Sequence, residues 1–237
     1  SNPLARSSGG FSNAIDQVIK SICLLPASAS ALAGKATQAN ATDQTLCSGN
    51  VVSTDPPYYD NIGYSDLSDF FYVWLRRTLK SIDTCLPFGT MSAPKNEELI
   101  VQPTRHASAA AAEQFFLEGM TAAMSRIALH SHPAIPKTIY YAFKQSEVSS
   151  EGGVLSTGWS TFLEAVIRSG LTVTGTWPLR TERGSRTVGI GVNALASSLV
   201  LVCQRRDSTI QVISRNEFRR QLRLELPIAL AKLEASS

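Results

Sequence analysis

Cysteine and histidine are scarce in this sequence, and neither is arranged for metal binding. The four cysteines, Cys23, Cys47, Cys85 and Cys203, are widely separated and form no Cys-x-x-Cys pair, and only three histidines are present. Structural zinc sites are usually built from closely spaced ligand pairs. We therefore expect no metal site and four reduced thiols, most of them in the core.

Long hydrophobic runs are absent as well. No apolar stretch approaches the roughly 20 residues of a membrane-spanning helix, and the first residues, SNPLARSSGG, lack the apolar segment of a signal peptide. The net charge is only +3, whereas a dedicated nucleic-acid-binding domain usually carries a concentrated basic patch. These absences predict a cytoplasmic globular protein with no membrane contact, whose charge permits a polyanionic partner without requiring one.

Helical and strand-like apolar patterns alternate along the chain. Short β-branched or aromatic runs predict strands at NVVST, TIYYAFK, LTVTGTWPL and SSLVLVCQR, with amphipathic helices between the first three. This order predicts an α/β fold with a mainly parallel sheet covered on both faces. The last two strands are joined by a loop too short for a helix, so they should pair antiparallel, or one should be inserted beside its neighbour.

The chain divides by pattern into three parts. Residues 1–48 contain one amphipathic helix and a stretch of small polar residues, and residues 49–206 contain the four predicted strands with an irregular insertion near 83–105. Residues 207–237 form a charged helical extension. Pro227 should break or kink that last helix.

The first predicted strand ends in a turn of unusual composition, TDPPYYD. A proline disfavours the α conformation in the residue before it, and two successive prolines fix φ and remove two backbone donors. Asp55 and nearby backbone oxygens therefore form a rigid rim that offers only hydrogen-bond acceptors, and Tyr58 places an aromatic ring beside it. In α/β sheets, ligands bind beyond the carboxyl ends of strands, which is the position of this rim.

A planar amine would suit such a rim. The amino group of adenine or cytosine has two N–H donors on a flat ring. Two acceptors would orient this amino group and return electron density to its nitrogen for attack on an electrophile. Their hydrogen bonds are stronger if an acceptor is ionised. Stacking on Tyr58 would contribute about 1–3 kcal/mol, and a base in a duplex would first be flipped out. The alternative is an ordinary strand-to-loop turn, since Asp and Pro are common turn formers.

The longer string TDPPYYDNIGYSDLSDFFYVWLRR resembles the adenine-specific DNA methylases, whose larger members carry a zinc ribbon. IYYAFKQ, GWSTFLEAVIRSGLTVTGTWPLRTE and NALASSLVLVCQRR resemble later segments of that family in the same order. The resemblance implies a Rossmann-like methyltransferase sheet that transfers a methyl group from S-adenosylmethionine to the amino nitrogen (N6) of a DNA adenine. Asp55 and the Pro56 carbonyl would accept from the amino group, Tyr58 would hold the base, and Pro57 would shape the turn.

The sequence departs from that family on the cofactor side. It lacks the Gly-rich turn that binds S-adenosylmethionine after the first strand, and it lacks the cysteine pairs of the zinc ribbon. Asn40 stands where the family often has an aspartate, and the resemblance implies that it contacts the adenine ring of the cofactor. We therefore expect an incomplete fold that holds the target base, with the cofactor half on a missing segment or a partner chain. A decayed, inactive copy is equally consistent with the sequence.

Two further groups of side chains have predicted roles. Arg180, Arg183 and Arg186 surround the turn RTERGSR, where a basic hairpin would hold phosphates of DNA; a solvated loop is an equal alternative. Phe70, Phe71 and Trp74 lie on the aromatic face of a helix predicted from position 66 to about position 82. We interpret that face as core packing that supports the turn without touching substrate.

Other functions remain open. The same chemistry would suit cytosine, an RNA base or a protein amide. Because the Gly-rich turn is missing, the chain is also consistent with a non-catalytic fragment that binds nucleic acid or serves in assembly.

Overall fold

The structure, a computed structural model, describes most of the chain. The described residues are 10–24, 34–60, 62–81, 89–142, 157–180, 197–207, 209–210 and 212–235. Contacts divide the chain into two units, residues 1–39 and 40–237.

The first unit contains the helix α1 (Phe11–Cys23), which confirms the amphipathic helix predicted near the N-terminus. Its large apolar residues recur at helical spacing, yet none of its residues is buried. The apolar face of α1 is therefore exposed.

The second unit contains the remaining described elements in alternating order. They are β1 (Ser53–Thr54), α2 (Tyr64–Leu79), a 3-10 turn (Pro103–Arg105), α3 (Ala109–His130), β2 (Lys137–Ala142), α4 (Thr157–Arg168), β3 (Leu171–Arg180), β4 (Ser197–Arg205) and α5 (Arg215–Ala235). The coarse α/β class predicted from the sequence is confirmed.

The described strands form one sheet in the order β1-β2-β4-β3. β1 and β2 pair parallel, whereas β4 lies between β2 and β3 and runs antiparallel to both. The prediction of a mainly parallel sheet is wrong for these strands, because the inserted last strand contributes to two of the three pairings. The prediction of an antiparallel C-terminal strand is confirmed, because β4 runs antiparallel to both of its neighbours.

Helices α3 and α4 pack against each other and against one face of the sheet. The core between them is apolar: Ala112, Phe116, Met120, Met124, Ile127, Ala128, Ile139, Tyr141, Phe162, Ala165, Val166, Leu171, Leu201 and Cys203. Along β2, burial alternates between buried and half-buried residues. On the second face, Tyr140 is half-buried and Trp177 is 66% exposed. Val200 pairs with both of these residues and is buried, so the described residues show the coverage of both faces expected from the sequence only in part.

Helix α2 confirms the predicted helix but not its predicted packing. Phe70, Phe71 and Trp74, interpreted from sequence as core residues, are 67%, 62% and 57% exposed. The buried residues of α2 are Ser65 and Tyr72 instead. Helical periodicity identifies an apolar face of a helix, but it does not show whether another element covers that face.

The C-terminal helix α5 is continuous through Pro227. A break at Pro227 is therefore wrong, whereas the alternative, a kink where the proline ring removes one backbone hydrogen bond, stays a prediction. Within the described ranges, no helix combines the length and apolarity needed to cross a membrane.

Candidate functional site

The turn predicted as a ligand rim follows β1 at its carboxyl end. β1 and its parallel neighbour β2 end at the same edge of the sheet, which is where ligands bind in α/β sheets. The strand stops at Thr54 because the two prolines that follow Asp55 have no N–H to donate to a ladder. Asp55 is exposed, Pro56 is buried, and Pro57 is half-buried.

Tyr58 is bound directly to the predicted acceptor. Its hydroxyl donates a hydrogen bond to Oδ1 of Asp55, and its half-buried ring packs edge-on against Tyr141 with centroids 5.4 Å apart. Burial and the hydrogen bond to Asp55 raise the pKa of Tyr58 well above its ordinary value. The pKa of Tyr64 is raised as well, first by burial and then by the charge of Asp55. Both phenols therefore remain protonated at neutral pH, beside one carboxylate.

Tyr59 anchors the turn in the core. It has a φ of 47°, in the left-handed region, and its side chain is buried. Its ring packs edge-on against Phe116 with centroids 5.2 Å apart, and its carbonyl accepts from the amide of Val101 at 3.0 Å. Gly158, in the first turn of α4, approaches so closely that an added Cβ would lie 2.9 Å from the ring. Left-handed backbone costs about 1–3 kcal/mol for a residue of this type, so packing must hold it.

An aromatic cluster lies behind Tyr58, and sequence reasoning did not assign it to the site. Tyr141 stacks on Phe162 with centroids 4.4 Å apart and contacts Trp159 at 5.1 Å. Trp159 is half-buried. The rule that ligands bind at the carboxyl ends of strands could have identified Tyr141, since it stands next to last in β2.

The segment 89–105, predicted as an irregular insertion, binds the first turn of α2. Glu98 accepts hydrogen bonds from the amide (3.0 Å) and the hydroxyl of Ser65, and Arg105 binds Glu98 and Asp66 at 2.7 Å each. The carboxylate thus caps a helix N-terminus from a distant part of the chain. Burial opposes ionisation of Glu98, but the hydrogen bonds from Ser65 and Arg105 outweigh it, so its pKa lies below the usual value.

A second polar contact fixes the middle of α2 to the same segment. Asp69 binds the ammonium of Lys95 at 2.7 Å and the amide of Ala93 at 2.8 Å. The bond from Lys95, followed by that from Ala93, lowers the pKa of Asp69. We call residues 89–105 the brace, because they hold α2 in place directly after the turn.

The remaining predicted site residues do not join the rim in the described structure. The side-chain oxygen of Asn40 accepts from the amide and hydroxyl of Thr42 at 2.9 and 2.8 Å, so it closes a local turn. Arg180 is the last residue of β3, and nothing is described of its side chain. Arg183 and Arg186 lie outside the described residues.

The described residues do not form a complete site for S-adenosylmethionine. The oxygen of Asn40 is already used locally, and no glycine-rich turn lies among the residues that the structure describes around Asp55. Among those residues there is also no group of three or more His, Cys, Asp or Glu side chains arranged to hold a metal ion. The described residues do bring together the Asp55 carboxylate, the Tyr58 hydroxyl and ring, and the ring of Tyr141.

Comparison with protein-family models, with curated proteins and with solved structures finds no match to this chain.

Gly158→Ala is expected to lower the free energy of unfolding by about 1–3 kcal/mol, because the new methyl group overpacks the ring of Tyr59. Helix propensity alone would change stability in the opposite direction. Urea denaturation measures the difference. Gly89→Ala, at a position with open space around it, is the control and should be neutral or slightly stabilising. Equal stability of Gly158→Ala and wild type would contradict the packing described for Tyr59.

Glu98→Gln is expected to cost about 1–3 kcal/mol at neutral pH, because the capping anion and its bond to Arg105 are lost. The pKa of Glu98 is lowered by folding, so its contribution is complete above the unfolded value of about 4.3 and disappears as pH falls through the lower folded value. Wild type and variant should therefore converge in stability at acidic pH. Glu97→Gln, which removes an exposed acid next in sequence, is the control; a pH-independent difference for Glu98→Gln would argue against the cap.

Proposed function

We propose that this chain is the base-holding part of a DNA adenine amino-group (N6) methyltransferase. The observation that carries the proposal is the DPPY turn, in which an exposed carboxylate and an aromatic ring stand beyond the carboxyl end of a strand. The resemblance of TDPPYYDNIGYSDLSDFFYVWLRR to the adenine-specific DNA methylases supports the choice of adenine.

The rim suits the amino group of a flipped-out adenine. Asp55 would accept one amino hydrogen with a charge-assisted bond, and the carbonyl of Pro56 would accept the other. Tyr58 already touches Asp55 and would present its ring to the base. The hydroxyl of Tyr58 stays protonated, so it would either steady the carboxylate or yield its place to the amine. Most of the catalytic acceleration would come from positioning and electrostatics.

The electrophilic methyl group would come from S-adenosylmethionine. Because the described residues do not complete a site for it, we propose that a glycine-rich strand and turn completes the sheet beside β1, on another segment of the protein or on a partner chain. The position of β1 supports this, because β1 is an edge of the described sheet and has β2 as its neighbour on one side.

A non-catalytic nucleic-acid-binding or assembly subunit is the second candidate. The observation that favours this candidate is the lack of a Gly-rich turn in the sequence. Calorimetry with S-adenosylmethionine separates the two: heat that appears only after a partner chain is added supports a split enzyme. No heat under either condition supports the binding subunit.

The acceptor is tested by incubating the full-length protein, with any chain that copurifies, with radiolabelled S-adenosylmethionine and separately with duplex DNA, RNA and protein. Label is expected in DNA, as N6-methyladenine after nuclease digestion. Label confined to protein or RNA, or found on cytosine, would contradict the assignment of adenine in DNA.

Asp55→Ala is expected to lower kcat/KM for DNA methylation about 100-fold or more, because a charged acceptor on the reacting amino group is lost. Asp60→Ala removes an exposed acid from the same turn and should retain nearly full activity. If Asp55→Ala is as active as Asp60→Ala, the rim does not hold the reacting group.

Tyr58→Ala is expected to weaken binding of an extruded adenine about 5- to 150-fold, the equivalent of the 1–3 kcal/mol that aromatic stacking contributes. Tyr58→Phe keeps the ring and should stay within a few-fold of wild type. Fluorescence of 2-aminopurine at the target position reports both affinities. An equal loss in the two variants would show that the hydroxyl, and not the ring, carries the contact.

A further inference from the structure

A basic groove lies on the C-terminal half of α2, away from the DPPY turn. Its volume is about 730 Å³, and its lining combines three cations with small and apolar residues: Val73, Arg76, Arg77, Lys80, Ser81 and Met91. Val73 is 44% exposed and Met91 is 85% exposed. The groove is thus an open, positively charged concavity with an apolar wall.

The positive charge of this groove is not neutralised within the described part of the chain. There, Arg76, Arg77 and Lys80 form no ion pair and no side-chain hydrogen bond. The acids of the same helix, Asp66 and Asp69, are instead bound to cations of the brace. The brace therefore separates the charges of α2, with its acids engaged and its cations available to a ligand.

Stabilisation of the helix dipole explains only part of this arrangement. Cations in the last turn of a helix interact favourably with its free carbonyls, and Arg76 and Arg77 stand there. The dipole effect does not require three adjacent cations around one concavity. Charge complementarity points to a polyanion that follows the helix surface.

We propose that this groove binds the phosphodiester backbone of the DNA whose target base enters the DPPY rim. The identity of the polyanion rests on the proposed function. A helix rises about 1.5 Å per residue, so Tyr64 near the rim and Arg77 in the groove are separated by roughly 20 Å along α2. That length corresponds to about six base pairs of duplex. One duplex can therefore contact both places, and backbone contacts of this kind fix its register while one base is extruded.

The test compares two triple variants that remove equal charge. R76Q/R77Q/K80Q removes the cations of the groove, and R219Q/R220Q/R223Q removes three arginines that line a surface groove on α5. Binding of a fluorescent 20-base-pair duplex is measured by anisotropy at several salt concentrations. Three lost phosphate contacts should reduce the slope of log K against log salt by about 2.7 for the α2 variant. The slope of the α5 variant should change little.

A charge-preserving variant, R76K/R77K, should keep the wild-type slope, and thermal unfolding should show that all three variants are folded. Equal slopes for the two triple variants, or a wild-type slope in R76Q/R77Q/K80Q, would overturn the proposal. So would stronger binding of poly-glutamate than of DNA. Failure of the enzyme assignment is a separate result. If the full-length protein methylates no DNA but the α2 variant shows the reduced slope, the groove binds DNA and the proposed methyltransferase activity is wrong.

Discussion

The left-handed conformation of Tyr59 is the constraint on which the candidate site depends. A tyrosine with φ of 47° is strained, and it stays there because its ring is buried between Phe116 and the bare backbone of Gly158. Burial of a large apolar side chain contributes about 1.5–3 kcal/mol, which is comparable with the cost of the strained backbone. Tyr59 is fixed by this packing, and two prolines stand between Asp55 and Tyr58. Asp55 and Tyr58 therefore have little conformational freedom. The rim is preorganised by the core beneath it.

Helix α2 is held differently from α3 and α4. Those helices are held by apolar packing on the sheet, whereas α2 depends on the ion pairs and hydrogen bonds of the brace. The pair of Arg105 and Glu98, whose side chains are 19% and 11% exposed, is the most specific in geometry, because a displaced partner would leave a partly desolvated charge. The brace therefore determines where the helix points. It also explains how one helix can present an exposed aromatic face and a basic groove at the same time.

Sequence reasoning predicted the elements better than their partners. The α/β class and the helices follow from local periodicity, and the antiparallel last strand was predicted from the length of the loop before it. The mainly parallel sheet was wrong, since the order of strands is decided by pairings that periodicity does not encode. The bond between Asp55 and Tyr58 spans one rigid turn and could have been predicted. The cap by Glu98 could not, because its partner Ser65 lies 33 residues away and each side chain looks like an ordinary surface residue. The methylase resemblance predicts a role for the rim, which remains a prediction.

The two prolines that stiffen the rim also restrict what can be added to the sheet. An exposed strand edge is a template for indiscriminate pairing and fibril growth, and β1 is such an edge among the described strands. Pro56 and Pro57 have no amide hydrogen, so any chain laid along this edge loses its ladder just past Thr54. A strand added beside β1 therefore forms only a few backbone hydrogen bonds before the turn begins. The same residues that shape a ligand rim thus limit how far an added strand can pair along β1.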